Sequence, residues 1–390
     1  MRSRIRIARM ITRMDLGGAQ QAVLALARDL DAKKFDQAVI TGMGGELFSD
    51  LASIRHIRLY VVPELDRSIR LAGLGMDLRA MLRIRQILRL EQPDIVHTHT
   101  PKAGIVGRWA GWLAGVPRII HTFHGFGFSD RHPFWQRQSY LWAERLVRGV
   151  TDRSVVVSES NRAKGLRLRL FRSDRCVLIR SGIDFPLLSG ELVDKTKKKL
   201  ELGFSPSDRI VGVVAGFKPP KALDHFLHAA AILHQRVPDL KFLMVGDGEL
   251  RSKLEAQRHA LGLDAIVKMT GWRRDVGSLI QVLDVFVLTS LWEGLPRVLV
   301  EALFLGVPAV ATNVDGVSEV VQDGKSGYLV APADVEALAD RVLRILQDDQ
   351  LRIRLGEAGK HSVSQFSAEK MLSDYASLYR EVAAVNGSTT

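Results

Sequence analysis

Two carboxylates, Glu293 and Glu301, bracket the segment Glu293-Gly294-Leu295-Pro296-Arg297-Val298-Leu299-Val300-Glu301, which directly follows the apolar run Val285-Phe286-Val287-Leu288-Thr289. That order predicts a buried parallel strand, a tight loop, and a helix with Pro296 in its first turn. Free backbone N–H groups and the helix dipole attract an anion at such a helix start. Carboxylates nearby can accept hydrogen bonds from hydroxyl groups. A phosphate surrounded by hydroxyls is the chemistry of a nucleotide sugar, and the segment reads as a site for one.

Other residues extend this chemistry. Lys221 stands at a predicted helix start, where a cation is unfavourable unless an anion is bound. The pair Gly17-Gly18 follows a strand and opens a helix, which lets backbone approach a ligand closely. It is not the G-x-G-x-x-G dinucleotide fingerprint, and no complete copy of that pattern occurs in the chain. His97, His99, His121 and His124 invite a metal reading, because His-x-His puts two rings on one strand face. No carboxylate cluster and no D-x-D accompany them, so His97 and His99 are expected instead as hydrogen-bonded residues at a strand's end near the cleft. Cys176 is the single cysteine, which excludes an internal disulfide and a cysteine zinc site.

The elements that must position these residues alternate short apolar strands with amphipathic helices, a pattern of parallel sheets flanked by helices. In the first half, strands are expected at Ile5–Ile11, Ala38–Thr41, Arg58–Val62, Ile95–His99, Arg118–Thr122 and Ser154–Ser158, with a helix at Ala19–Leu30. In the second half they are expected at Ile210–Ala215, Lys241–Val245, Ala265–Thr270, Asp284–Thr289 and Ala309–Ala311. A polar connector, Ser189–Lys199, lies in a hinge region between Arg180 and Asp208, and Ala368–Val385 reads as a terminal helix. With 390 residues the chain exceeds one ordinary core. The expected organisation is an α/β protein of two doubly wound, Rossmann-like domains facing a central cleft. Residues 1–182 are expected to form the first domain, 183–366 the second, and 367–390 a helix returning toward the first. Ligands should meet the loops at the carboxyl ends of the strands.

Charge is unevenly spread. Residues 1–180 carry 31 Lys+Arg against 16 Asp+Glu, whereas 181–390 carry 24 against 27. Such asymmetry points to an anionic partner for the first half, a membrane surface or nucleic acid, or else to a plain solvated basic face. The segment Phe134–Arg145 mixes aromatic and basic residues, and Leu78–Leu90 alternates arginines with aliphatics. Each is expected either to pack as core or to rest on lipid. No apolar run spans a bilayer and no signal peptide is recognisable, so a cytoplasmic location is expected.

The block Thr289–Val330 continues with Glu301-Ala302-Leu303, Gly306-Val307-Pro308, Glu319-Val320-Val321 and Gly324-Lys325-Ser326-Gly327. It resembles the donor-binding half of the retaining, metal-independent GT-B enzymes of glycosyltransferase family 4, whose signature E-x7-E is matched by Glu293 and Glu301. The resemblance extends to Gly17-Gly18, Thr122-Phe123-His124-Gly125, Ile179–Asp184, Val245–Leu250 and the terminal helix. It implies that Glu293 binds hydroxyls of the donor sugar, Glu301 the ribose, and the amides around Gly294 and Leu295 the diphosphate. Lys221 matches the family's phosphate-binding lysine and His124 a histidine reaching the donor sugar from the first domain. Gly17-Gly18 would lie opposite the diphosphate, and Trp272-Arg273 beside a uracil base. Two positions depart from the family pattern. Gly216 replaces an arginine, with Lys218 as a substitute cation, and Asp315 replaces the first glycine of a Gly-Gly pair.

The resemblance implies a hexosyltransferase that moves a sugar from a UDP-sugar to a hydroxyl acceptor with retention, without metal or cofactor. The expected acceptor is a lipid-linked saccharide in surface polysaccharide or lipopolysaccharide synthesis. The expected setting is a peripheral position on the inner face of the cytoplasmic membrane, with no nucleic acid. A GT-B sugar-nucleotide epimerase and a basic nucleic-acid-binding protein are the alternatives.

Overall fold

A computed structural model describes residues 4–65, 74–128, 133–190 and 193–384. Val385, expected to end the last helix, and residues 191–192 of the polar connector lie outside that set. The chain divides into two compact units, residues 1–182 with 368–390, and residues 183–367.

The first unit holds a parallel sheet of strands β1 (Ile5–Ile11), β2 (Phe35–Thr41), β3 (Ile57–Val61), β4 (Ile95–His99), β5 (Arg118–Phe123), β6 (Arg153–Val156) and β7 (Cys176–Leu178). Their spatial order is β3-β2-β1-β4-β5-β6-β7. Alternation along β1 assigns its two faces. Ala8 and Met10 pack with Val96 on the helices Leu74–Glu91 and Pro101–Ala114 through Ala80, Ile84, Val106 and Ala110. Ile7 packs with Ile95, Ile120 and Val155 on the other face, against Leu26 and the terminal helix Ala368–Ala384. Met371, Tyr375, Leu378, Tyr379 and Val382 supply that helix's buried stripe. Their i, i+4, i+7, i+8, i+11 spacing is one helical face, so the end of the chain completes the first core.

The second unit repeats the pattern with β8 (Ile210–Val214), β9 (Lys241–Val245), β10 (Val267–Met269), β11 (Val285–Leu288), β12 (Ala309–Thr312) and β13 (Gly327–Val330). All pairs are parallel, in the order β10-β9-β8-β11-β12-β13. β8 and β11 are buried along their whole length, which is why they read as continuous apolar runs without alternation. Both sheets reverse strand order once, between β1 and β4 and between β8 and β11. In doubly wound sheets that reversal opens a crevice at the strands' carboxyl ends.

Two strands are not legible in the sequence. β7 and β13 are edge strands of three and four residues, too short to show a period. β13 also begins at Gly327, where a side chain would collide with the Ala309 carbonyl, 2.4 Å from a built Cβ. Only glycine permits that approach, and it lowers the apparent strand propensity. The polar connector forms two short helices, Phe185–Gly190 and Lys195–Glu201, the second capped by the Asp194 carboxylate.

Candidate active site

In the second unit the loops after β8 and β11 are stitched together at the reversal point. The Leu291 amide donates to the Pro220 carbonyl at 2.8 Å. The Thr289 hydroxyl donates to the Lys221 carbonyl, also at 2.8 Å. This backbone seam carries two of the expected site residues into contact: the Lys221 ammonium pairs with Glu293 Oε1. Ser290 Oγ donates to the same oxygen at 2.6 Å. The Glu293 amide donates to Asp315 Oδ2 at 2.8 Å. Glu293 is therefore held at its side chain by a cation and a hydroxyl and at its backbone by a second carboxylate.

The backbone around it is constrained. Pro219–Lys221 form a single 3-10 turn, and Ala222 is left-handed (φ 43°) ahead of the helix Leu223–Arg236. Asp315 is left-handed too, with φ 40°. Non-glycine residues adopt that conformation at a cost, and such outliers gather at functional loops. The dipole conflict read for Lys221 has a resident solution, because the Glu293 carboxylate is its counter-ion.

Gly294 and Leu295 are buried behind Glu293. Pro296 is the N-cap, one residue before the helix Arg297–Phe304 rather than inside its first turn, and no side chain caps that helix. Glu301 lies one turn after Arg297 and is half-buried. Burial pushes its carboxyl above the ordinary glutamate value, with the Arg297 charge acting in the opposite direction.

Gly216 leaves a gap that neighbours line. A Cβ there would sit 3.5 Å from the Trp272 ring and 3.8 Å from the Lys218 side chain. Trp272 and Lys218 thus flank the position of the missing arginine. Arg273 is engaged elsewhere: it bonds both oxygens of Asp275, at 2.7 and 2.6 Å, and Glu201 at 2.7 Å. Those contacts raise its already high pKa and hold Asp275 well below the usual carboxylate range.

In the first unit, Gly17 is the extended N-cap (φ −160°) of the helix Gly18–Asp29, which has no side-chain cap. The loops after β1 and β4 meet through Thr12 Oγ1 and Thr100 Oγ1, 2.7 Å apart. His124 follows β5 and bonds His99 at 2.9 Å, His99 Nδ1 to His124 Nε2. His97 bonds Tyr379 and Thr122, each at 2.7 Å, and His121 bonds Thr98 at 2.9 Å. Burial holds His97, His99 and His121 well below the ordinary histidine pKa, so all three are neutral.

Ser290 was not among the residues read as functional. No sequence pattern marked it, since Ser290 and Glu293 lie in the loop ahead of the helix Arg297–Phe304 and bond side chain to side chain.

Comparison with known proteins decides the family. A model described as glycosyl transferases group 1 matches residues 194–362, and one described as glycosyltransferase family 4 matches residues 16–185. The lipopolysaccharide core biosynthesis glycosyltransferase LpsE of Rhizobium meliloti is 32% identical, covering 93% of this chain and 95% of that protein. The chain belongs to the group 1 glycosyltransferases. A second relative of this glycosyltransferase is the UDP-Gal:alpha-D-GlcNAc-diphosphoundecaprenol alpha-1,3-galactosyltransferase of Escherichia coli. It is 29% identical over 97% of both chains. The Anabaena protein HepE, crystallised with UDP and glucose, superposes with a TM-score of 0.84 at 20% identity, over 97% of this chain and all of its own. Two Rossmann-like sheets of this order place the glycosyltransferase in the GT-B fold class.

Proposed function

We propose that this glycosyltransferase moves a sugar from a UDP-sugar to a hydroxyl of a lipid-linked saccharide, retaining the anomeric configuration and using no metal or cofactor. The observation that carries the reading is the anchored Glu293 at the β8/β11 reversal point. Its Oε1 is taken by Lys221 and Ser290, which suits a group that binds sugar hydroxyls and argues against a free nucleophile. Glu301, Gly294 and Leu295 then serve the ribose and the diphosphate. Lys221, with Lys218, offsets charge on the departing diphosphate, the largest kind of stabilisation available to such a reaction. The acceptor hydroxyl attacks from the face that the diphosphate leaves, and the diphosphate takes the proton. Trp272 is assigned to the base. Arg273 contributes by fixing its loop to Asp275.

The E. coli relative's stated donor and acceptor, and the UDP and glucose of the Anabaena structure, support the substrate classes. The first unit supports a peripheral site on anionic membrane at the cytoplasmic face. On the helix Phe134–Val147, Trp135, Trp142 and Leu146 share one stripe and are 66%, 61% and 63% exposed. The Arg145 guanidinium lies over the Trp142 ring. Aromatic rings beside arginines suit a headgroup layer. No helix of the described residues is long and apolar enough to cross a membrane.

Purified protein should transfer label from a UDP-[14C]sugar into the butanol phase when given vesicles carrying GlcNAc-diphosphoundecaprenol. Label confined to water with all common UDP-sugars would refute the acceptor class. An epimerised donor formed without acceptor would refute transfer itself.

A further inference from the structure

The loop that carries Glu293 leaves β11 at Thr289 and is held from β12 as well as from the β8 side. β11 and β12 run paired as far as Leu288 and Ala311. Beyond that register, side chains take over from the ladder. Thr312, buried at the end of β12, donates its hydroxyl proton to the Ser290 carbonyl. Further along the same loop, Asp315 Oδ2 accepts the Glu293 amide at 2.8 Å. The β12 side of this clamp is itself fixed by β13. Thr312 pairs with Val330, and the Asn313 amide donates to the Val330 carbonyl at 2.8 Å. Asp315 opens the 3-10 turn Asp315–Glu319 with a left-handed backbone, φ 40°. Such a backbone favours glycine, and any other residue there is strained.

The family pattern has glycine at 315, so the aspartate brings a strain that the turn itself does not require. We infer that Asp315 is a positioning residue for Glu293: its side-chain oxygen holds the Glu293 amide and thereby sets the direction in which the Glu293 carboxylate leaves the backbone. Lys221 and Ser290 meet that carboxylate at one atom, Oε1. About a single oxygen the rest of the side chain and its backbone can pivot. The bond to Asp315 removes the pivot, because it fixes the peptide plane that precedes the Glu293 Cα. Its acceptor is charged, which makes it stronger than a neutral bond, although an amide oxygen in the same place can accept it too. Alanine loses the bond and keeps the left-handed strain. Glycine loses the bond and relieves the strain. Anchoring and strain are therefore separable by substitution. The consequence for transfer rests on the proposed role of Glu293; the anchoring of its amide does not.

The test compares wild type with Asp315→Asn, Asp315→Gly and Asp315→Ala, all assayed well below their melting temperatures. The first readout is the Glu293 backbone amide in 15N-glutamate-labelled protein, assigned by its absence from Glu293→Gln. Its exchange with solvent in wild type and Asp315→Asn should be about tenfold slower than in the glycine and alanine variants. The second readout is transfer from a UDP-sugar. A small misplacement of a group at the reacting centre costs about 100-fold, so kcat should fall by about that factor in Asp315→Gly and Asp315→Ala alike. UDP affinity should be unchanged, and Asp315→Asn should recover kcat to within about tenfold of wild type. Stability should follow a different order, with Asp315→Gly melting above Asp315→Ala because only alanine keeps the strain. Activity that tracked the melting temperatures, with Asp315→Gly well above Asp315→Ala, would reduce Asp315 to a structural residue and overturn the inference. So would full kcat in Asp315→Gly, or an unprotected Glu293 amide in wild type. A wild-type protein with the protected amide that transfers no sugar would sink the functional reading alone.

Discussion

Lys221 and Glu293, 72 positions apart in the chain, form an ion pair where the loops after β8 and β11 meet. The pair joins the residue assigned to phosphate with the residue assigned to sugar. On the proposed roles, the ammonium faces the diphosphate and the carboxylate faces the sugar hydroxyls. The arrangement keeps both groups oriented before a donor arrives, which reduces the ordering cost at binding.

The division of labour can be read from ligand-induced thermal shifts, because a ligand stabilises only the form that binds it. UDP should stabilise wild type and Glu293→Gln alike, while Lys221→Met should lose most of that shift. The additional shift given by a UDP-sugar over UDP should vanish in Glu293→Gln. Equal losses of both shifts in both variants would contradict the assignment.

Ser290 has only its hydroxyl to offer Glu293. A hydrogen bond to a charged group contributes about 1.5–3 kcal/mol, so Ser290→Ala should lower kcat/KM for transfer by about 10- to 100-fold. The same bond supports the fold, so the melting temperature should also fall, by about 2–4 °C per kcal/mol lost. Steady-state kinetics beside calorimetry would decide it, and unchanged kcat/KM would remove Ser290 from the site.

Gly216→Arg should strengthen the donor site. Gly216 does not have the left-handed backbone that would exclude a side chain, and a Cβ there meets Trp272 and Lys218 at ordinary contact distances. A guanidinium added beside Lys218 supplies the bidentate phosphate contact that a lysine lacks. Titration calorimetry should show UDP affinity raised by roughly tenfold. Weaker UDP binding would mean that Trp272 fills the space in a way the donor requires.

The buried histidines make stability depend on pH. His97, His99 and His121 titrate well below 6.5 in the folded state, so the unfolded chain binds more protons just below that value. Their contribution is fully present above about pH 6.5 and is lost as pH falls, by up to about 1.4 kcal/mol per unit for each histidine. Glu301, raised in the folded state from 4.5, acts with the opposite sign in the window above 4.5. The first unit's unfolding transition should drop by several degrees between pH 7.5 and 5.5. A flat transition temperature would show that these rings are not held neutral.

The strands that shape the site were legible because buried parallel strands leave unbroken apolar runs, as in Val285–Thr289 and Ile210–Ala215. The E-x7-E spacing was likewise visible, since it needs only two residues on adjoining elements. The Lys221–Glu293 pair was not, because it depends on a crossover that brings β8 beside β11. Asp315 stood out only as a departure from glycine. That its carboxylate caps the Glu293 amide requires the loop after β12 to be placed first. His97 was read as a hydrogen-bonded strand-end residue, but its partner Tyr379 comes from the helix Ala368–Ala384, 282 positions on. No local pattern links them.

The central claim is retaining transfer from a nucleotide sugar at the anchored Glu293. It is tested most directly by 1H NMR of the anomeric proton in the first product formed from an α-linked UDP-sugar, with EDTA present. An α-linked product from wild type, and none from Glu293→Gln that still folds and still binds UDP, is the predicted result. A β-linked product, a requirement for metal, or full turnover by Glu293→Gln would contradict the account.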